Sequence, residues 1–95
     1  MMNYSFILQG TVTEIGDMVQ IRRTTKPDIY KKILAVETMD NQKVYMEIRN
    51  TGIKELEREG IDEGSLVEIE YLFEGSEKDG KKYNNVVIKN IRLLR

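Results

Sequence analysis

The chain has 95 residues, 40% of them hydrophobic and 33% charged, with a net charge of −1; this is enough for one modest core, so a single domain over 1–95 is expected. It contains no cysteine and no histidine, which excludes disulfides, thiolate nucleophiles, Cys/His zinc centres and Ser-His-Asp triads. No enzymatic activity, catalytic residue, cofactor or metal site is therefore expected.

Met1 to Gly10 has no basic region and no apolar run leading to a small-residue cleavage site, so no signal peptide is read. Nowhere does the chain approach the roughly 18 consecutive apolar residues of a membrane span. A cytoplasmic location with no membrane partner is the expectation. Tyr4 to Ile15 (YSFILQGTVTEI) is a strand rich in β-branched and apolar residues, with Phe6, Leu8, Gly10 and Val12 on one face. Gly10 marks the point where this strand bends. Met18 to Arg23 continues it beyond a turn at Gly16 and Asp17, and Thr24 to Asp28, with the only proline, Pro27, is a loop.

Ile29 to Thr38 (IYKKILAVET) is the second strand and Lys43 to Arg49 (KVYMEIR) the third, joined by a turn at Asp40 and Asn41. The third alternates most clearly. Val44, Met46 and Ile48 face the core, and Lys43, Tyr45, Glu47 and Arg49 face outward. From Thr51 to Gly60 (TGIKELEREG) the period changes from two to that of a helix, with Ile53 and Leu56 as its apolar stripe, Thr51 as N-cap and Gly60 just past its end. Ser65 to Glu74 (SLVEIEYLFE) is the fourth strand, with Val67, Ile69, Tyr71 and Phe73 inward and Glu68 and Glu70 on a solvated face. Phe6, Tyr71 and Phe73 are accordingly expected to be packing residues. A hairpin loop, Gly75 to Lys82, leads into the last strand, Tyr83 to Leu94.

Three strands, a helix and two strands is the order of an all-β OB (oligonucleotide/oligosaccharide-binding) fold: a five-stranded antiparallel barrel with one short helix between strands 3 and 4. Charge is segregated along it. Residues 1–19 sum to −2, 20–49 to +3, 50–79 to −7 and 80–95 to +5. Such segregation implies a two-faced molecule, provided that the two basic segments meet in space, with the acidic helix as the side turned away from a polyanion.

The stretch from Val44 to Leu94 resembles the second half of bacterial and phage single-stranded-DNA-binding proteins: a third strand, a helix of the form KELEREG, the strand GSLVEIEYLFEG, a charged hairpin, and KKYNNVVIKNIRLL. FILQGTVTEI and KKILAVET are similar to that family's opening strands. Tyr30-Lys31-Lys32, Val36-Glu37-Thr38 and Tyr83-Asn84-Asn85-Val86 also resemble motifs of small, tail-less single-domain relatives. Two departures stand out. There is no tryptophan, which leaves base stacking to tyrosine and phenylalanine, and the chain ends at Arg95 without the family's acidic tail. The resemblance implies single-stranded DNA as ligand, a homo-oligomer (dimer or tetramer), and replication proteins as candidate partners.

An OB barrel binds across strands 2 and 3, flanked by the loops joining strands 1 to 2 and 4 to 5. The candidate residues on those elements are Arg22, Arg23 and Lys26 in the first loop; Tyr30 and Lys32 on the second strand; Lys43, Tyr45 and Arg49 on the third; and Lys81, Lys82 and Tyr83 at the hairpin. The cations neutralise phosphates and the tyrosines stack bases. For Tyr45, the alternative is cover for the barrel edge or a dimer contact; for Tyr30, a place in the core. Two other functions share the fold: RNA binding by the same face, and an assembly subunit of a phage or mobile-element replication complex, favoured by the acidic sum and the missing tryptophans.

Overall fold

The computed structural model describes residues 4–95; the first three residues, part of the stretch read as lacking a signal peptide, lie outside the described residues. Its elements are β1 (Phe6–Ile15), β2 (Val19–Ile21), β3 (Ile29–Thr38), β4 (Lys43–Arg49), α1 (Thr51–Glu59), β5 (Leu66–Lys78) and β6 (Lys81–Leu93). The strands form one sheet in the order β1-β5-β6-β4-β3-β2, closed by a β1–β3 pairing. This is the five-stranded barrel expected from the sequence, with the three-residue β2 added along β3. Its ladders are antiparallel except where β4 meets β6 at Glu47 and Val87. The sheet is thus mixed, not wholly antiparallel, because the strand that follows the helix crossover and the hairpin returns beside β4 in the same direction.

Closure depends on Gly10, which stands opposite Thr38 of β3 and also opposite Val67 of β5. A Cβ here would lie 2.6 Å from the Glu37 carbonyl oxygen and 2.8 Å from Val36 Cγ1, so the close approach of β1 to β3 requires glycine. A bulge between Val12 and Glu14 completes the change of partner.

Val12, Leu34, Val36, Met46, Ile48, Val67 and Ile69 fill the barrel and are fully buried. Each contributes roughly 1.5–3 kcal/mol of hydrophobic stabilisation. Ile53 and Leu56 of α1, with Ile61, close one mouth of the barrel. Gly60 ends the helix in the left-handed region at φ 70°; its N–H and that of Ile61 bond back to Glu57 and Leu56. The N-cap is Asn50, not Thr51, and it makes no side-chain capping bond. Instead, its Oδ1 accepts from the Tyr30 N–H at 3.0 Å, tying the start of the helix to β3.

At the other mouth the packing expectation needs correction. Phe6 and Phe73 are 48% and 59% exposed. They form a cluster with half-buried Tyr71, with ring centroids 5.4–5.9 Å apart. These residues keep the inward register, but β1 and β5 run past the barrel there, so their inner faces open to solvent. The hairpin is also more regular than expected. β5 runs on to Lys78 and β6 starts at Lys81, with only Asp79 and Gly80 between them, both at positive φ (53° and 78°), as in a type I′ turn.

Candidate nucleic-acid interface

The β3–β4 ladder places Lys31 opposite Arg49, Ile33 opposite Glu47, Ala35 opposite Tyr45 and Glu37 opposite Lys43. All eight share the outer face, because Leu34, Val36, Met46 and Ile48 take the inner one. Through the Glu47–Val87 pairing the same face continues onto the β5–β6 hairpin, where Glu74 opposes Asn85, Ser76 opposes Tyr83 and Lys78 opposes Lys81. Tyr45, 62% exposed, and Tyr83, 47% exposed, thus lie on one surface. Ala35 has no side chain long enough to cover the Tyr45 ring.

Cations are distributed along this surface. Because β6 runs parallel to β4, its first residues fall toward the Lys43 end, and the β2–β3 loop falls at the Arg49 end. Arg22 and Lys26 of that loop, like Lys43 and Lys81, are exposed and make no ion pair among the described residues. Arg23 is used differently: its Nε and Nη2 donate to the Pro27 carbonyl at 2.8 and 2.6 Å, fastening the loop on itself.

Two cations at the Arg49 end of the β3–β4 ladder, Lys31 and Arg49, are tied to carboxylates. Glu47 points outward from the barrel, as its register predicts, but is only 6% exposed. It accepts from Lys31 Nζ at 3.1 Å and from Arg49 Nε. The Arg49 Nη1 and Nη2 groups donate to the two oxygens of Glu74 at 3.1 and 3.0 Å, a bidentate pair. This holds the guanidinium above its ordinary pKa, chiefly through the Glu74 hydrogen bonds, with burial opposing and Glu47 adding. The two carboxylates are unequal. Glu74 has an exposed side chain, and exposed ion pairs are worth about 0–1 kcal/mol; removing one partner from a buried pair costs about 3–5 kcal/mol.

Three of the expected residues lie off this surface. Tyr30 and Lys32 have the inward register of Leu34 and Val36, beyond the end of the barrel. Tyr30 lines a groove of about 520 Å³ with Met18, Asn50, Ile53, Lys54 and Glu57, beside the helix. Lys82, opposite Glu77, projects from the other side of the hairpin from Lys81 and Tyr83. Conversely, Lys31, Ile33 and Lys78 belong to the surface and are not among the residues expected there. The signal for Lys31 and Ile33 is the short β3–β4 turn: pairing Glu37 with Lys43 fixes Lys31 opposite Arg49.

The sequence matches no protein-family model and no curated protein. The structure is similar to the mitochondrial single-stranded DNA-binding protein Rim1 of S. cerevisiae in two crystal forms. One gives a TM-score of 0.63 at 15% identity over 97% of this chain and 96% of that one, and the other 0.55 at 22% identity over 100% and 98%. It is also similar to the N-terminal domain of the PriB protein from Thermoanaerobacter tencongensis, a dimeric structure, with a TM-score of 0.56 at 19% identity over 96% of each chain. Likeness end to end at so low an identity establishes the architecture: this chain has the OB fold of these proteins.

Proposed function

We propose that residues 1–95 act as one non-catalytic OB unit that binds single-stranded DNA without strict sequence preference, in replication, recombination or repair. The observation that carries this is the shared outer surface of β3, β4 and the β5–β6 hairpin, where Tyr45 and Tyr83 stand among Lys31, Lys43, Arg49, Lys78 and Lys81. Aromatic faces stack on any base and cations attract the backbone. Arg22, Arg23 and Lys26 extend the positive charge at one end; Tyr30, Lys32 and Lys82 are peripheral contacts. The same fold in Rim1, a single-stranded DNA-binding protein, supports the choice of ligand. Anisotropy of a fluorescent oligo-dT at low and moderate salt tests it. Affinity that falls steeply with salt is expected, and no change at tens of micromolar protein would refute it. Competition with an RNA oligomer decides between DNA and RNA.

Self-association into a dimer or tetramer is part of this proposal. The aromatic cluster in which exposed Phe6 and Phe73 meet half-buried Tyr71 and the dimeric state of the PriB domain support it. That cluster and the net charge of −1 also favour a second reading, an assembly subunit that docks replication proteins. A stoichiometric protein partner retained after nuclease treatment of an extract would support the second reading over the first.

A further inference from the structure

We propose that the terminal nitrogens of Arg49 are a phosphodiester-binding site that Glu74 occupies in the free protein and vacates when a nucleic acid strand binds; this rests on the single-strand binding proposed above. The planar fork of a guanidinium fits a carboxylate and a phosphate by the same two parallel N–H bonds. In Arg49 that fork, Nη1 and Nη2, is given wholly to Glu74, and Nε alone is given to Glu47. The two carboxylates are not equally free to leave. Glu47 is 6% exposed and is also held by Lys31, so it stays and keeps the guanidinium aimed along the surface. Glu74 is 45% exposed at its side chain and has no other ion-pair or hydrogen-bond partner among the described residues. Water can solvate it when it departs.

The placement of the pair adds a mechanical consequence. Arg49 lies on β4 and Glu74 on β5, and β6 separates these strands in the sheet. β6 pairs with β4 only at Glu47 and Val87, so the ion pair staples the hairpin to β4 across an intervening strand. Exchange of Glu74 for a phosphate releases the staple where the strand arrives. The bound state gains a phosphate contact and a freer hairpin, and Glu74 holds affinity down by competing for the same donors.

The test measures oligo-dT affinity by anisotropy for wild type, Glu74→Gln, Glu37→Gln and the double variant Glu74→Gln/Arg49→Lys. Glu37 is the control for charge, since it lies on the same surface opposite Lys43 and makes no contact with Arg49. Glu74→Gln is expected to tighten binding by roughly fivefold, the range open to an exposed pair, and Glu37→Gln by much less. Arg49→Lys, which keeps a cation beside Glu47 but loses the fork, is expected to cancel the gain. Hydrogen exchange of hairpin amides without DNA is expected to be faster in Glu74→Gln. Equal gains from both single variants, or a gain that survives Arg49→Lys, would overturn the occupancy of Arg49 by Glu74 and leave single-strand binding standing. Absence of binding in all four proteins would overturn single-strand binding itself and the phosphate site with it.

Discussion

Tyr45 stands directly opposite Ala35 in the β3–β4 ladder, itself 62% exposed and its cross-strand neighbour buried. A large aromatic beside the smallest chiral side chain contributes little to the core and offers a flat face to a ligand. Tyr45→Ala is expected to weaken oligo-dT binding by about 1–3 kcal/mol and to leave the thermal midpoint nearly unchanged. Parallel anisotropy and melting measurements check both halves of this expectation.

Glu47 behaves in the opposite way. Its carboxylate is buried between Lys31 and Arg49, and Glu47→Ala leaves Lys31 without its acceptor and Arg49 with Glu74 alone. Since each of them is partly exposed, water recovers some of the loss, and a destabilisation of about 1–3 kcal/mol is expected in urea denaturation.

Gly10→Ala places a methyl group against the Glu37 carbonyl and Val36. The nearest atom is backbone and cannot swing aside. A loss of about 1–3 kcal/mol is expected, as for overpacking elsewhere, visible as a lower urea midpoint with an unchanged slope.

Acid sensitivity is expected from the outer face of β5. Glu68 is held below its ordinary pKa of 4.5 by hydrogen bonds from Gln9 and then Arg92; Glu70 is lowered from the same value by Ser5 and then Asn90. A carboxylate whose folded pKa is depressed stabilises the fold fully above its unfolded pKa, and that stabilisation is lost as pH falls through the folded value. Stability is therefore expected to drop below pH 4.5, and Glu68→Gln with Glu70→Gln to flatten this limb in denaturation curves taken across pH.

Arg22→Ala with Lys26→Ala removes two exposed cations at one end of the surface. The slope of log affinity against log salt is expected to become shallower by about 0.7 for each phosphate that is no longer neutralised. An unchanged slope would place the strand elsewhere.

The β4 segment and the helix are legible in the sequence because each carries one clear period: KVYMEIR alternates, and Ile53 and Leu56 fall on one helical face. The β3 segment IYKKILAVET is legible as a strand but not in its facing. Its polar and apolar residues do not alternate, so Tyr30 and Lys32 look equivalent to Lys31 until the register with β4 separates them. Burial of Glu47 is not legible either, since it depends on Arg49 folding back over it and on Glu74 arriving from a strand 25 residues away. Phe6 and Phe73 mislead for a related reason. Inward register implies burial only where a barrel surrounds the position, and strand alternation does not report where the barrel stops.

Gly10 and Thr11 are bonded to strands on both flanks, one belonging to the first half of the chain and one to the second. A seam shared in this way ties the survival of either half to the other. Thermal or chemical melting is expected to proceed as a single event, because neither half can come apart without pulling the common thread from its neighbour.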